Sequence, residues 1–178
     1  MQGNITQPDQ REATFDGASP AYSFERILVP VDFTYASRLA LGSAVELSKR
    51  FGSRIILFHA TGASDNDGFL AGTGSSWTVN DIAASACRML RSFADNQVPE
   101  LAGSFTYDSS AHGEVIPSIV NAADRHDATM VVLGTHDDPH HLHFRRTVAE
   151  RIARELWCSV MFVHAGRARP DTSGPIAR

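Results

Sequence analysis

Cysteine is scarce in this chain. Only Cys87 and Cys158 occur among 178 residues, far apart and without a C-x-x-C spacing, which excludes a disulfide framework, a cysteine-based zinc site and a dithiol redox pair. Lysine is scarcer still: Lys49 is the single lysine among sixteen basic residues, so no mechanism that needs a lysine beside a phosphate is available. There is no basic excess either. The formal net charge of −4 lacks the cationic face that phosphate neutralisation requires, and the chain is not expected to bind nucleic acid. No apolar run approaches the roughly 20 residues of a membrane span, and residues 1–23 hold no apolar core of signal-peptide type, so a cytoplasmic protein without membrane contact is expected. Several motifs are also missing: GxxxxGK, a complete GxGxxG, GxSxG and HxGH. No side chain reads as an activated nucleophile beside a base, so binding, not turnover, is the expected activity.

What is present describes one domain. Hydrophobic residues make up 43% and charged residues 20%, enough apolar matter for one real core at this length. Residues 1–23 are polar and aperiodic and read as a flexible arm; 24–165 carry the periodic pattern; 166–178 read as a frayed tail. Within the domain, Arg26–Val31 and Arg54–Ala60 are short, almost continuous apolar runs, the pattern of strands buried on both faces. Gly103–Ser109 is a weaker, more polar strand suited to a sheet edge, and Thr129–Leu133 and Ser159–Val163 complete five. Between them the period changes to that of a helix: Ala36, Ala40, Ala44 and Leu47 before a stop at Gly52; Ile82, Ala86, Met89 and Phe93 after a cap at Asn80; Ile116, Ile119, Val120 and Ala123 with Pro117 in the first turn; and Val148, Ile152 and Leu156. The stretch 61–79 is rich in Gly, Ser and Asp and reads as a long surface loop anchored by Trp77.

Strands alternating with helices imply an α/β fold: a single-domain, open, parallel five-stranded sheet of order 3-2-1-4-5 with helices on both faces, Rossmann-like in class. In such sheets ligands bind where the winding reverses, between the carboxyl ends of strands one and four. Asp32 ends the first strand there, and Gly134 to His136 follow the fourth. The Asp32 carboxylate suits a ribose hydroxyl or a base amino group; equally, Asp32 or Thr34 serves to cap the helix that follows. His59 at the end of strand two is either a wall of the same pocket or a hydrogen-bonded core residue.

The segment Phe24-Glu-Arg-Ile-Leu-Val-Pro-Val-Asp-Phe-Thr-Tyr-Ala-Ser37 resembles the opening of the universal stress protein family. His112-Gly-Glu-Val-Ile116 is similar to the family's turn into its third helix, Ala128 to His136 to its fourth strand, and Val148 to Arg151 with Cys158 to Val163 to its closing helix and strand. The resemblance spans Phe24 to His164 and implies a nucleotide-binding fold of the adenine nucleotide alpha hydrolase type, with ATP or AMP as the ligand. Carried onto this chain, the nucleotide site comprises Pro30, Val31 and Asp32 from strand one, and Phe58 and His59 from strand two. Leu133, Gly134 and His136 from strand four complete it with Arg146, Thr147 and Val148.

ATP-binding members carry a G-x2-G-x9-G-S/T pattern after strand four, and here the chain departs from it. Asp137 replaces the second glycine, the segment is one residue short, and Arg146 replaces the third glycine ahead of Thr147. Backbone amides cradle phosphates only where no side chain blocks them, and Asp137 and Asp138 add negative charge beside the expected phosphates. Arg145 and Arg146 act in the opposite sense at a helix N-terminus, while Thr147-Val-Ala-Glu150 also fits a capping box. The resemblance therefore implies a non-enzymatic stress-response regulator with a degenerate pocket and weak or absent ATP binding. The alternative is an ATP- or AMP-binding regulator that uses Asp32 and the Gly134–His136 turn. A third reading draws on the histidine-rich stretch 136–143, where His140, His141 and His143 compose a metal-responsive loop; no metal ligand set is assigned. The family implies a homodimer through the last strand, here Val160, Met161, Phe162 and Val163, and the same edge offers itself to another protein partner.

Overall fold

The computed structural model describes residues 24–61, 78–111, 113–136 and 151–166. Five parallel strands, β1 (Arg26–Pro30), β2 (Arg54–Ala60), β3 (Thr106–Ser110), β4 (Met130–His136) and β5 (Ser159–Ala165), lie in the order β3-β2-β1-β4-β5. This is the expected winding, outward both ways from β1. The helices are α1 (Tyr35–Phe51), α2 (Val79–Gln97) and α3 (Val115–Arg125), with a further helical stretch at 151–155.

The sheet is buried on both faces, which is why β1 and β2 are apolar without alternation. Side chains still alternate between the two sides. Ile27, Val29, Ile55, Leu57 and Val132 pack with Leu41 and Val45 of α1 and Leu90 of α2. Leu28, Ile56, Phe58, Val131 and Leu133 pack with Ile116 and Ile119 of α3 and with Ile152. Ile27, Leu28, Val29, Leu57 and Phe58 have no exposed surface, so each contributes about 1.5–3 kcal/mol by burial.

Local chemistry sets the helix ends. The α1 helix begins at Thr34, whose hydroxyl accepts the Ser37 amide, and ends at Gly52, whose φ of 69° only glycine adopts freely. Pro117 lies in the first turn of α3, where its missing N–H costs nothing. The cap of α2 differs from the expectation. Thr78 is the N-cap and Asn80 lies inside the helix, because Thr78 and Asp81 form a reciprocal capping box. Strands shift as well. β3 starts at Thr106, after a turn at Gly103 with φ of 80°. β4 continues through Gly134 to His136, because these residues keep pairing with Val163, His164 and Ala165 of β5. The arm 1–23, Trp77 and most of the 61–79 loop lie outside the described residues, as does the tail beyond Gly166.

The edge strand β3 is tied down by charge. Asp108 accepts hydrogen bonds from Arg125 at 2.6 Å and His126 at 2.9 Å through one oxygen, and from the Ser109 amide at 2.7 Å through the other. Partial burial acts to raise the Asp108 pKa, but the Arg125 and His126 hydrogen bonds outweigh it and hold the carboxyl below its ordinary value. A depressed carboxyl pKa contributes stability above the unfolded value, about 3.9, and loses it as pH falls through the lower folded value. Asp108→Asn is therefore expected to cost about 1 kcal/mol at neutral pH, a figure discounted for the half-exposed Arg125. The deficit relative to the parent should shrink below pH ~4 in urea titrations; a constant deficit from pH 7 to pH 2 would contradict the assignment.

Candidate functional site

The carboxyl end of β1 opens the sheet at the point where the winding reverses. There the Asp32 carboxylate turns back on its own loop: Oδ1 accepts the Thr34 amide at 3.1 Å and the Thr34 hydroxyl at 2.5 Å. While its O–H donates to Asp32, the Thr34 hydroxyl oxygen still accepts the Ser37 amide at 3.4 Å and so caps α1. Asp32 thus braces the cap, and its side chain remains exposed at the end of β1. Burial acts to raise the Asp32 pKa, and the hydrogen bonds from the Thr34 hydroxyl and amide overcome it, so the carboxyl titrates below its ordinary value. At neutral pH it is an anion with one oxygen engaged by Thr34.

His59 closes the adjacent side. Its Nδ1 lies 2.7 Å from the Val31 carbonyl oxygen, which can only accept, so Nδ1 carries a proton in this contact. His59 is hydrogen-bonded and half-buried beside the β1 tip. The Phe33 ring lies 4.8 Å from the imidazole and 5.6 Å, edge to face, from Phe93 of α2. Phe33 adopts φ of 62°, a left-handed conformation that costs a non-glycine residue on the order of 1–3 kcal/mol. The aromatic packing offsets that strain and fixes the loop carrying Asp32. The sequence held no signal for Phe33, because positive φ is anticipated from glycine or asparagine and neither is present.

On the other side of the crevice, Gly134 touches α1 directly. A Cβ added to it would lie 2.3 Å from both the carbonyl carbon and oxygen of Ala36 and 2.8 Å from the Ser37 amide nitrogen. Its first role is therefore close packing of β4 on the first turn of α1. Thr135 follows with its hydroxyl 3.3 Å from His164 Nδ1 of β5.

The structure thus brings Pro30, Val31, Asp32, His59 and Gly134 to one end of the sheet. Phe58 and Leu133, also assigned to the site, are sealed in the core at 0% and 8% exposure, so their side chains support the crevice from within. His136 ends β4 opposite Ala165. Arg146, Thr147 and Val148, together with the histidines of 140–143, fall outside the described residues. Among the described residues no group of three or more His, Cys, Asp or Glu is placed to hold a metal, and no helix is long and apolar enough to cross a membrane.

A doubly wound parallel sheet with an ionised carboxylate and a glycine flanking its switch point defines a Rossmann-like α/β protein. The model of the universal stress protein family matches residues 23–164, and the chain belongs to that family. No curated protein matches it. Solved structures similar to it include a universal stress protein family member from Burkholderia pseudomallei, 19% identical, covering 82% of this chain and 98% of that one with a TM-score of 0.51. Another is UspA from Lactobacillus plantarum, 21% identical, covering 79% and 97% with a TM-score of 0.58. A third is a universal stress protein in complex with cAMP, 15% identical, covering 80% and 98% with a TM-score of 0.55. At these identities the likeness is one of fold.

Proposed function

We propose that this chain is a non-enzymatic, dimeric stress-response regulator whose switch-point crevice takes an adenine nucleotide with one phosphate in preference to ATP. The observation that carries this reading is the state of Asp32. Its carboxylate is ionised, exposed and held in place by Thr34, with acceptor capacity left for a ribose hydroxyl or a base amino group. The similar fold solved with cAMP supports the choice of ligand class. The bias against a triphosphate comes from the sequence after β4, where Asp137 and Arg146 stand in place of glycines and Asp138 adds further negative charge. No candidate nucleophile and base come together at the described part of the crevice, which favours retention of the ligand over its turnover.

Calorimetric titration tests the proposal. AMP or cAMP is expected to bind at least tenfold, about 1.4 kcal/mol, more tightly than ATP, with ATP no tighter than about 1 mM. Asp32→Ala is expected to weaken AMP by about tenfold, from the loss of a charge-assisted hydrogen bond. Stoichiometric ATP at micromolar concentration would reject the preference; AMP affinity unchanged in Asp32→Ala would reject the site.

A further inference from the structure

A second concave site lies away from the switch point. A groove of about 670 Å³ runs between α2 and β3, lined by Cys87, Arg88, Arg91, Asp95, Asn96 and Tyr107 among others. Arg88 and Arg91, three residues apart, project from one side of α2, and neither forms an ion pair among the described residues. The Arg91 guanidinium is anchored 5.3 Å above the Tyr107 ring. One turn further on, Asp95 brings the opposite charge. Asp95 Oδ1 and Tyr107 Oη are both buried without a hydrogen-bond partner beneath this surface. Cys87 Sγ lies in the same wall, 3.7 Å from Ser109 Oγ. The Ser109 hydroxyl gives its proton to the Ala83 carbonyl at 3.1 Å, which leaves its oxygen to accept from the thiol and holds the sulfur in place.

Two unpaired guanidiniums, one carboxylate and one thiol in a single groove are complementary to a small peptide disulfide bearing carboxylates and an ammonium. We propose that this groove recognises such a disulfide and that Cys87 is thiolated there. The Cys87 thiolate attacks one sulfur of the incoming disulfide. A protein–ligand S–S bond forms as the original S–S bond breaks, and the departing thiolate takes up the proton that Cys87 released. Arg88 and Arg91 seat the carboxylates, and Asp95 seats the ammonium. Cys158 serves as an internal contrast: burial and the nearby Asp124 push its thiol pKa up, and its surroundings oppose the same reaction.

The test uses oxidised glutathione as the charged probe and hydroxyethyl disulfide as a neutral one, with adducts located by peptide mass mapping of the full chain. One glutathione adduct is expected, on Cys87, persisting in Cys158→Ser and absent from Cys87→Ser. Arg88→Ala with Arg91→Ala should slow thiolation by glutathione disulfide about tenfold while leaving the neutral probe's rate unchanged, which also reports that the groove is intact. Asp95→Asn distinguishes recognition from bulk charge. It should slow the reaction if the carboxylate seats an ammonium, whereas simple attraction of a net anion predicts acceleration. Equal modification of Cys158, no adduct on Cys87, or an equal loss of rate toward both probes in the arginine variant would overturn the proposal, as would acceleration in Asp95→Asn.

Discussion

Gly134→Ala is expected to destabilise the fold by about 3 kcal/mol or more, a large share of the 5–15 kcal/mol typical of a domain. The added methyl would meet the carbonyl carbon and oxygen of Ala36 at 2.3 Å, and both are backbone atoms of the first turn of α1. A flexible side chain could rotate away at small cost; a helix backbone held by the Thr34 cap cannot. Relief would require α1 to lift from β4 or β4 to leave its register with β5, and either movement separates Val132 from the core that packs on α1. Gly42 supplies the control. It is exposed on α1 with nothing within 4 Å of an added Cβ, so Gly42→Ala should stabilise by about 0.5–1 kcal/mol through helix propensity. Urea unfolding followed by circular dichroism should place the two midpoints on opposite sides of the parent, with similar slopes. A Gly134→Ala midpoint at or above the parent's would show that β4 does not bear on α1 as described. The same contact matters for the site, because it sets the distance between the β4 tip and the loop carrying Asp32.

Legibility from sequence followed the physics of each element. β1 and β2 were readable because a strand buried on both faces must be apolar throughout, and α1 because Ala36, Ala40 and Ala44 fall on one face. With the elements in order, chain topology alone led to Asp32 and Gly134 as the switch-point residues. The roles of those residues were less readable. Gly134 resembles the start of a phosphate-binding turn, yet it sits within a strand, and only the packing of β4 on α1 discloses why a side chain is excluded. Likewise the end of β4 carried little signal, since Gly134 and His136 flank the lone β-branched Thr135 and the segment is held extended by its β5 neighbours. Phe33 was invisible for a related reason. Its strained backbone is maintained by His59 and Phe93, contacts that join β1, β2 and α2 across long stretches of chain.

Phe162→Glu is expected to convert the proposed dimer into a folded monomer. Among the described residues β5 is an edge strand paired only with β4, and it carries Met161 at 37% and Phe162 at 42% exposure, just after Trp157 at 96%. Val160 and Val163 instead lean on the two cores from within. An apolar edge strand left bare is a template for another strand, and a two-fold interface repeats every substitution on both sides. If Phe162 is a central anchor worth about 2 kcal/mol, the symmetric change costs about 4 kcal/mol, near a thousandfold in dimer dissociation constant. The monomer should survive, because Phe162 already contacts solvent and its loss opens no sealed cavity. Light scattering at micromolar concentration should show the parent at twice the mass of the variant, with superimposable far-ultraviolet spectra. Trp157 adds a local readout when Trp77 is replaced by Phe to leave a single indole. Its emission should shift to longer wavelength in Phe162→Glu if dimerisation covers the start of β5. A parent that is monomeric at every concentration would remove the edge from the proposal, while leaving the nucleotide test on Asp32 untouched.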